Sequence, residues 1–304
     1  MSYDIVIVGS GPAGMSAAID AARGGMKTLV IAGANAGGQV TQTEAIENYA
    51  GIPSVDGYTL YSTMLKQAES FGAEVRYETA ISVGAEGEDK KVVTDGGEYT
   101  ARALIIATGA KHRKLGLENE EALTGKGVSY CATCDGGFFR GKVVAVVGGG
   151  DTALTEALYL ARLCKKVYIV HRRREYRAAQ ILVERLRATE NIEEVLDSVA
   201  YGLEGSPVEV LEVADVHGGG VRRLEVQGVF VAIGTEPDSA LVADVVDTER
   251  GYIITDSEMR TSLEGVFAAG DVRVSPLRQV VTACADGAIA ATYATEYVNL
   301  HKRS

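Results

Sequence analysis

The fold is decided by the stretch Tyr3-Asp4-Ile5-Val6-Ile7-Val8-Gly9-Ser10-Gly11-Pro12-Ala13-Gly14. Its first half is a short β-branched run of the kind that is buried in a parallel sheet, and an Ala-rich helix follows to about Gly24. A strand, a glycine turn and a helix in this order form the dinucleotide-binding fingerprint, because small residues let the backbone approach a pyrophosphate at the positive helix end. The sequence therefore predicts a nucleotide-binding domain here.

The second strand of this unit, predicted at 27–31, departs from the usual pattern at its end. An acidic residue in that position normally holds a ribose hydroxyl, but this chain has Ala32-Gly33. We therefore expect the ribose to be held by backbone or by the nearby loop Asn35-Ala36-Gly37-Gly38-Gln39.

The same pattern begins again in the middle of the chain. A strand at 142–147 leads into Gly148-Gly149-Gly150-Asp151-Thr152-Ala153 and a helix through Leu163, with Ala153 in place of the third glycine. The next strand ends in His171-Arg172-Arg173-Arg174, and Arg177 follows one turn later. Guanidinium groups in this position suit a 2′-phosphate, whereas a carboxylate selects the unphosphorylated ribose. The second nucleotide is predicted to be NADPH; the alternative is a solvated basic face.

Redox chemistry is predicted at Cys131-Ala132-Thr133-Cys134-Asp135. Two cysteines with this spacing can close a small disulfide, and the partner sulfur and local amides lower the pKa of one thiol. The adjacent Asp135 can give a proton to a departing thiolate and take one back. The alternative is half of a zinc site, but the remaining cysteines, Cys164 and Cys284, are isolated, with no His beside either. No metal is expected, and these two cysteines are predicted to be buried core thiols.

Length and composition limit the class of protein. The 304 residues predict two compact units, and 46% hydrophobic with 23% charged residues is ordinary for a globular protein. No apolar run approaches the ~20 residues of a membrane span, and no secretory leader precedes the first strand, so a cytoplasmic protein is expected. With only four cysteines, the C-x-x-C is expected to cycle between oxidised and reduced forms. The net charge of −11 disfavours nucleic acid and anionic membranes as partners.

The two units repeat the same organisation. Each fingerprint is followed by an antiparallel meander, predicted at 74–99 and at 192–226, and by a buried closing strand that ends in Thr108-Gly109 or Ile233-Gly234. The last stretch, a strand at 266–271 and a helix at about 280–300, is too short to fold alone and is predicted to complete the first sheet. The fold class is therefore α/β, with two Rossmann-like domains of three layers, a parallel sheet plus an antiparallel meander. Domain 113–240 is inserted between 1–112 and 241–304.

Together these motifs resemble the low-molecular-weight thioredoxin reductases, and the resemblance extends from Asp4 to about Tyr297. It is carried by Gly9-Ser10-Gly11-Pro12-Ala13-Gly14, Gly37-Gly38-Gln39, Glu47-Asn48-Tyr49, Ala107-Thr108-Gly109-Ala110, Cys131-Ala132-Thr133-Cys134-Asp135-Gly136, Gly148-Gly149-Gly150-Asp151-Thr152-Ala153, His171-Arg172-Arg173, Gly265-Val266-Phe267-Ala268-Ala269-Gly270-Asp271 and Arg278-Gln279. Ala50 departs from the family, which often has proline there. Arg174 adds a basic residue to the usual pair and is expected to strengthen phosphate binding.

The resemblance implies two cofactors. FAD is expected at residues of the first and last segments: Gly9, Gly11, Pro12, Ala13, Gly14, Ala32, Gly33, Gly37, Gly38, Gln39, Asn48, Thr108, Gly109, Asp271, Arg278, Gln279 and Val280. NADPH is expected at residues of the middle segment: Gly149, Gly150, Asp151, Thr152, Ala153, Glu156, His171, Arg172, Arg173, Arg177, Ile233 and Gly234.

It also implies a reaction. Hydride passes from NADPH to the flavin, the flavin reduces the Cys131/Cys134 disulfide, and the dithiol reduces thioredoxin. By analogy Cys134 lies next to the flavin, Cys131 attacks the partner's disulfide and Asp135 is the acid and base. Hinges for a domain rotation are expected near Arg113 and Asp238.

The family further implies a homodimer. The alternative function is that of a flavoprotein reductase acting on another thioredoxin-like or peroxiredoxin-linked partner. A ferredoxin-driven relative would lack the NADPH motifs that this chain has between Gly148 and Arg177. A non-catalytic nucleotide- or zinc-binding regulator is the hypothesis from a different class.

Overall fold

The computed structural model describes residues 2–43, 45–86 and 89–301, and the chain divides into two compact units. Unit 1 comprises Met1–Lys111 and Glu236–Ser304, and unit 2 comprises His112–Thr235. The sequence had placed the divisions after 112 and after 240. The predicted fold class, mixed α/β with parallel sheets and antiparallel strands, is confirmed.

The elements of the first part of unit 1 are β1 Ser2–Val8, α1 Pro12–Arg23, β2 Thr28–Ile31, α2 Gly57–Ser70, β3 Glu74–Arg76, β4 Ala80–Glu86, β5 Asp89–Thr94, β6 Glu98–Ile106 and β7 Ala110–His112. Those of the middle of the chain are α3 Glu120–Leu123, β8 Val128–Ser129, α4 Ala132–Asp135, β9 Val143–Val147, α5 Asp151–Ala161, β10 Lys166–Val170, α6 Gln180–Arg187, β11 Ile192–Val195, β12 Ser198–Glu204, β13 Val210–Asp215, β14 Val221–Glu225, β15 Gly228–Val231 and β16 Thr235–Pro237. The chain ends with β17 Thr248–Glu249, β18 Tyr252–Ile253, β19 Val266–Ala268 and α7 Val280–Leu300. Short 3₁₀ turns lie at Gly38–Gln42, Gly136–Phe139 and Gly270–Val272.

The main sheet of unit 1 contains a parallel part in the order β3-β2-β1-β6-β19. The long strand β6 has two further partners along its outer edge. Residues 98–101 pair antiparallel with β5, and residues 104–106 pair in parallel with β19. The prediction that the last stretch of the chain completes the first sheet is therefore confirmed.

Alternation along β1 builds the two sides of this core. Ile5 and Ile7 point to the side covered by α1, α2 and α7, whereas Val6 and Val8 point to the other side. On that second side, Val92 and Tyr99 of the meander pack against the sheet, so the meander covers it as predicted. Both faces are closed, which explains why the second half of the strand, Ile5 to Val8, is entirely apolar.

Unit 2 also contains a five-stranded parallel sheet and an antiparallel meander, but its meander forms a separate sheet. Its parallel sheet has the order β11-β10-β9-β15-β8, and a separate antiparallel sheet contains β12, β13 and β14. The helices α5 and α6 pack on one face with Val144, Val146 and Ile169, and the antiparallel sheet covers the other face.

One prediction about the meanders is wrong in both units. The segments Glu74–Arg76 and Ile192–Val195 were assigned to the meanders, but they form β3 and β11, the edge strands of the two parallel sheets. Both are short and contain charged residues because an edge strand is exposed on one side. Among the residues described, no helix has the length and apolar character that crossing a membrane requires.

Candidate active site

The first glycine turn joins β1 to α1 in unit 1. Gly9 has φ +110°, and a Cβ there would lie 2.2 Å from the carbonyl oxygen of Ala107, so only glycine fits. Pro12 opens α1, and Gly11, its N-cap, has no side chain to bond the first N–H groups. This helix end therefore offers backbone donors and positive partial charge to an anion.

Ser10 ties this turn to its surroundings, a role that the motif did not reveal. Its hydroxyl donates to the carbonyl of Ala32 at 3.2 Å and accepts from the N–H of Gly37 at 2.9 Å. The turn, the end of β2 and the 35–39 loop are thus held together. The hydrogen bond from Ser10 to Ala32 spans residues 22 apart in sequence.

The site expected for a ribose has few free backbone donors. The N–H of Ala32 donates to Arg76 at 2.8 Å, and the N–H of Gly33 donates to Glu78 at 3.1 Å. The N–H groups of Gly37 and Gly38 are also used, by the hydroxyl of Ser10 at 2.9 Å and by the carbonyl of Asn35 at 3.0 Å. These hydrogen bonds therefore do not distinguish between the two sources of a ribose contact that the sequence suggested.

Other predicted flavin residues are brought together across long stretches of chain. The amide of Asn48 donates to the side-chain oxygen of Gln279 at 2.6 Å. Gln39 donates to the carbonyl of Ala110, and the Thr108 hydroxyl donates to the carbonyl of Asp238 at 2.5 Å. The carbonyl of Gly109 accepts from the N–H of Asp238 at 2.9 Å. Gln279 is also the N-cap of α7 in a capping box with Thr282, directly before Val280.

Asp271 and Arg278 form the charged part of this region. Burial raises the pKa of Asp271; the charge of Arg278 lowers it and that of Asp286 raises it further. The guanidinium of Arg278 stacks on the ring of Tyr252 at 4.5 Å. Its Nε is buried, and within the described part of the chain this atom has no hydrogen-bond partner. An orphaned buried donor fits a polar group of a cofactor.

The second glycine turn, in unit 2, repeats the first. Gly150 is the N-cap of α5 and has no capping side chain. A Cβ on Gly149 would lie 2.1 Å from Nδ1 of His171, so the turn and the histidine ring are closely packed. The carbonyl of Gly149 accepts from the N–H of Arg177 at 2.8 Å, which folds the basic segment over the turn.

The basic residues beyond β10 occupy different environments. His171 is buried, stacks on Tyr176 at 5.3 Å, and has its pKa lowered by burial and by the nearby arginines. Its side chain therefore packs against the turn, and its contact with NADPH stays a prediction. Arg174 was expected to add to phosphate binding, but its Nε donates to Asp197 at 2.8 Å. Among the described residues, Arg172, Arg173 and Arg177 are exposed and make no ion pair.

The remaining predicted nicotinamide-nucleotide residues lie around α5 and after β15. Thr152 is exposed and Ala153 is buried in the core, while Oδ1 of Asp151 accepts from the N–H of Ala179 at 2.7 Å. Ile233 is exposed, and Gly234, with φ +108°, accepts from the N–H of Arg113 at 3.0 Å.

Glu156 is the most perturbed carboxyl group of unit 2. Burial raises its pKa to about 7, and a hydrogen bond from the backbone N–H of Ala132 opposes this shift. Its Oε2 is buried without a hydrogen-bond partner among the residues described. Since Ala132 is the first residue of α4, Glu156 joins α5 to the cysteine motif.

The cysteine motif forms α4 immediately after the edge strand β8. Cys131 and Cys134 are joined by a disulfide, and Cys131 is the N-cap of the helix. The Cys131 sulfur lies 3.3 Å from the N–H of Cys134 and 3.4 Å from the Thr133 hydroxyl. These groups surround the sulfur with donors that would stabilise a thiolate after reduction.

Ser129 orients the predicted acid and base, and sequence reasoning missed it. Its buried hydroxyl donates to Oδ2 of Asp135 at 2.6 Å and accepts from the N–H of Cys131 at 3.1 Å. The N–H of Asp135 donates to the carbonyl of Cys131 at 3.1 Å. Asp135 and Cys131 are therefore held in one hydrogen-bonded network.

A buried carboxylate anchors the segment before the motif. Glu120 is 2% exposed and accepts from the N–H groups of Leu115 and Gly116, both at 2.8 Å. Oε1 also accepts from the hydroxyl of Tyr130 at 2.8 Å, and Tyr130 immediately precedes Cys131. Two backbone donors and one hydroxyl satisfy this carboxylate, which fixes the approach to the cysteines.

The other two cysteines are separate from this centre. Cys164 is buried in unit 2, and Cys284 is half-buried in unit 1. Burial raises the pKa of the Cys164 thiol to about 11. Within the described residues, no group of three or more His, Cys, Asp or Glu side chains could hold a metal ion. A disulfide beside an oriented carboxyl group can accept an electron pair, and the carboxyl group is placed to give and take the protons.

Comparison with known proteins decides the family. The model of the pyridine nucleotide-disulphide oxidoreductases matches residues 3–287. The chain belongs to this family of oxidoreductases. Within it, the thioredoxin reductase of Listeria innocua is 45% identical over 300 residues, which are 97% of this chain and 94% of that protein.

Two solved structures of the family share the fold. The thioredoxin reductase of Streptococcus pyogenes has a TM-score of 0.94 and 43% identity, covering 98% of this chain and 99% of its own. The thioredoxin reductase of Giardia duodenalis has a TM-score of 0.92 and 36% identity, with the same coverage. The resemblance to low-molecular-weight thioredoxin reductases is confirmed, and the family implies the use of a flavin and a nicotinamide.

Proposed function

We propose that this protein is a thioredoxin-disulfide reductase that takes electrons from NADPH through FAD and the Cys131/Cys134 pair. The observation that carries the proposal is the position of Cys131. Its sulfur faces two hydrogen-bond donors, and its backbone is joined through Ser129 to Asp135. The relatives named thioredoxin reductase, similar over nearly the full chain, support thioredoxin as the substrate.

Unit 1 supplies groups that suit FAD. The N–H groups at the start of α1 would hold the pyrophosphate, since Gly11 leaves them uncapped. Asp271 would accept from ribityl hydroxyls, and Arg278 would present its orphaned Nε to a polar atom of the cofactor. When bound, the flavin supplies hydride acceptance from NADPH and two-electron reduction of a disulfide.

Unit 2 supplies groups that suit NADPH. The N–H groups at the start of α5 would hold its pyrophosphate. Arg172, Arg173 and Arg177 would bind the 2′-phosphate, because they are exposed and make no ion pair within the described residues. Glu156 would contact the nicotinamide with its unpartnered Oε2.

The chain's own residues would then carry out the exchange with thioredoxin. The Cys131 thiolate attacks one sulfur of the thioredoxin disulfide, and the other thioredoxin sulfur leaves as a thiolate and takes a proton. The Cys134 thiolate next attacks Cys131 in the mixed disulfide, which restores the Cys131–Cys134 bond and releases the second thioredoxin thiol. Asp135, held by Ser129, would give and take the protons.

The test of this function is NADPH consumption by the purified protein with and without oxidised thioredoxin. Cys134→Ser should still be reduced at its flavin by NADPH but should lose thioredoxin reduction. A wild-type protein that consumes NADPH at the same rate whether or not thioredoxin is present would contradict the proposed substrate.

The coenzyme has its own test with a matched control. Arg172→Ala with Arg173→Ala should raise the Michaelis constant for NADPH about tenfold or more and change that for NADH little, because only NADPH carries the 2′-phosphate. Arg174→Ala removes a neighbouring guanidinium that is paired with Asp197, so it should change neither constant. Equal effects of the double variant on both coenzymes would contradict the assignment.

By the same resemblance we propose that the protein acts in the cytoplasm as a homodimer. Light scattering on the purified holoprotein tests the dimer, since the chain mass of 32.0 kDa distinguishes one copy from two.

A further inference from the structure

A buried ion pair between Asp286 and Arg273 fixes the turn that contains Asp271. Asp286, on α7, is 8% exposed. Its Oδ2 accepts from Nε of Arg273 at 2.7 Å and from the N–H of Gly270 at 3.1 Å, and its Oδ1 accepts from Nη2 of Arg273 at 3.0 Å. Both partners flank Asp271, so one carboxylate holds the turn on each side of that residue.

Arg273 completes the attachment. Its Nη1 donates to the hydroxyl of Thr255 at 3.2 Å and to the carbonyl of Val274 at 2.9 Å. The planar guanidinium thus joins α7, the segment after β18 and its own turn in a fixed fork geometry. A lysine in this position would keep the charge but could not make these contacts together.

The turn that they hold lies directly against the first glycine turn. A Cβ on Gly270, which has φ +76°, would lie 2.9 Å from Cβ of Ala13. Ala13 is in the first turn of α1, whose N-terminal donors are uncapped. A shift of the Gly270–Val272 turn would therefore move Asp271 relative to the helix end where a pyrophosphate is expected.

We propose that Asp286 and Arg273 are positioning residues for FAD: they fix the Gly270–Val272 turn so that Asp271 meets the cofactor while the start of α1 holds its pyrophosphate. The inference rests on the proposed binding of FAD to unit 1. A role confined to stability would leave the affinity for FAD unchanged, so affinity separates the two.

The experiment measures release of FAD from the holoprotein by the fluorescence of the free cofactor, together with melting temperatures with and without added FAD. Asp286→Asn keeps an acceptor for Gly270 but loses the charge, and Arg273→Lys keeps the charge but loses the fork. The control is Asp256→Asn, because Asp256 also accepts from two backbone N–H groups of unit 1, those of Glu258 and Arg260.

Asp286→Asn should raise the dissociation constant for FAD about tenfold, Arg273→Lys should raise it by less, and Asp256→Asn should leave it unchanged. The stabilisation by added FAD should shrink in the same order. If Asp286→Asn does not fold, the dissociation constant of Arg273→Lys for FAD tests the inference.

Unchanged affinity in both variants overturns the inference, as does a lower melting temperature with the same FAD-dependent gain. A wild-type protein that binds no FAD fails at an earlier step and overturns the proposed function itself, so the two failures are distinguishable.

Discussion

The two units share a strand order but use its edge differently. In unit 1 the edge strand β19 comes from the end of the chain and leads into the turn with Asp271; in unit 2 the edge strand β8 precedes the glycine turn and leads into the cysteine motif. The turn expected to bind the flavin and the redox helix therefore follow equivalent strands. One architecture thus carries a binding turn in one copy and a reactive group in the other.

Each of these two segments is held by a carboxyl group, and the two groups differ in whether a cation is paired with them. Asp286 accepts from the N–H of Gly270 and is paired with Arg273. Glu156 accepts from the N–H of Ala132, but no cation pairs with it among the residues described, and burial raises its pKa to about 7. The turn in unit 1 is therefore held by an ion pair, whereas the redox helix of unit 2 is held by a carboxyl group whose pKa is raised to about 7.

The largest effect is expected from removing Arg273, the cation paired with Asp286 in unit 1. Arg273→Met should destabilise the protein by about 3–5 kcal/mol, because it leaves the Asp286 charge buried and unpaired. Adding Asp286→Asn should recover much of this loss, since the unpaired charge is then gone.

Melting temperatures of the two variants and wild type provide the measurement. Arg260→Met is the control, because its carboxylate partners Glu258 and Asp256 are both partly exposed and such pairs contribute little. Equal losses of stability for Arg273→Met and Arg260→Met would contradict the claim that the buried charge of Asp286 depends on Arg273.

Glu156, the carboxyl group of unit 2 that has no paired cation among the described residues, should make the stability of the protein depend on pH. Its pKa in the folded state, about 7, lies above the model value of 4.5, so the folded state binds the proton more tightly than the unfolded state. The stability from this group is therefore full at low pH and is lost as pH rises from about 4.5 to about 7. The loss is at most about 3 kcal/mol.

Glu156→Gln tests this directly, because the amide keeps an acceptor for Ala132 and cannot ionise. Melting temperatures should match wild type near pH 4.5 and exceed it above pH 7. Glu190→Gln, an exposed carboxylate of the same unit, should give parallel curves. If melting temperatures of Glu156→Gln ran parallel to those of wild type across this pH range, the raised pKa of Glu156 would be contradicted.

A smaller effect is expected at the hydroxyl that joins Asp135 to Cys131. Ser129→Ala should slow thioredoxin reduction about tenfold, which corresponds to about 1.4 kcal/mol, because Asp135 loses a hydrogen bond and its orientation. Flavin reduction by NADPH should be unchanged. Ser129→Thr keeps the hydroxyl and should recover the rate if the pocket admits the extra methyl group. Stopped-flow absorbance separates the two half-reactions, and a slower flavin reduction would contradict the assigned role.

The smallest effect is expected at the thiol outside the site. Cys164→Ala should leave turnover unchanged, and native Cys164 should resist alkylation at pH 8 because burial raises its pKa to about 11. Mass spectrometry after alkylation of native and unfolded protein measures this. Labelling at equal rates in both states would show that the thiol is accessible.

Sequence patterns predicted those parts of the molecule that depend on neighbours in the chain. The glycine turns and the buried strands are local, because small residues and β-branched runs act over a few positions. The edge strands β3 and β11 were not predicted as parallel strands, because three or four residues that include charged side chains show no clear alternation. The two-residue strand β8 was too short for any pattern.

Within the site, the missed residues act through contacts that are distant in sequence or lack a motif. Ser10 meets Ala32, Ser129 meets Asp135, and Asp286 meets Arg273 only after folding. Composition could not distinguish Arg174, which pairs with Asp197, from Arg172 and Arg173, which do not, because all three belong to one basic run.

The most direct measurement of the central claim is differential alkylation of the holoprotein before and after anaerobic addition of NADPH, read by mass spectrometry. We predict that NADPH makes Cys131 and Cys134 reactive, that oxidised thioredoxin reverses this, and that Cys164 resists labelling throughout. The account would be contradicted if Cys131 and Cys134 stayed blocked while NADPH was consumed, or if they were reactive before its addition.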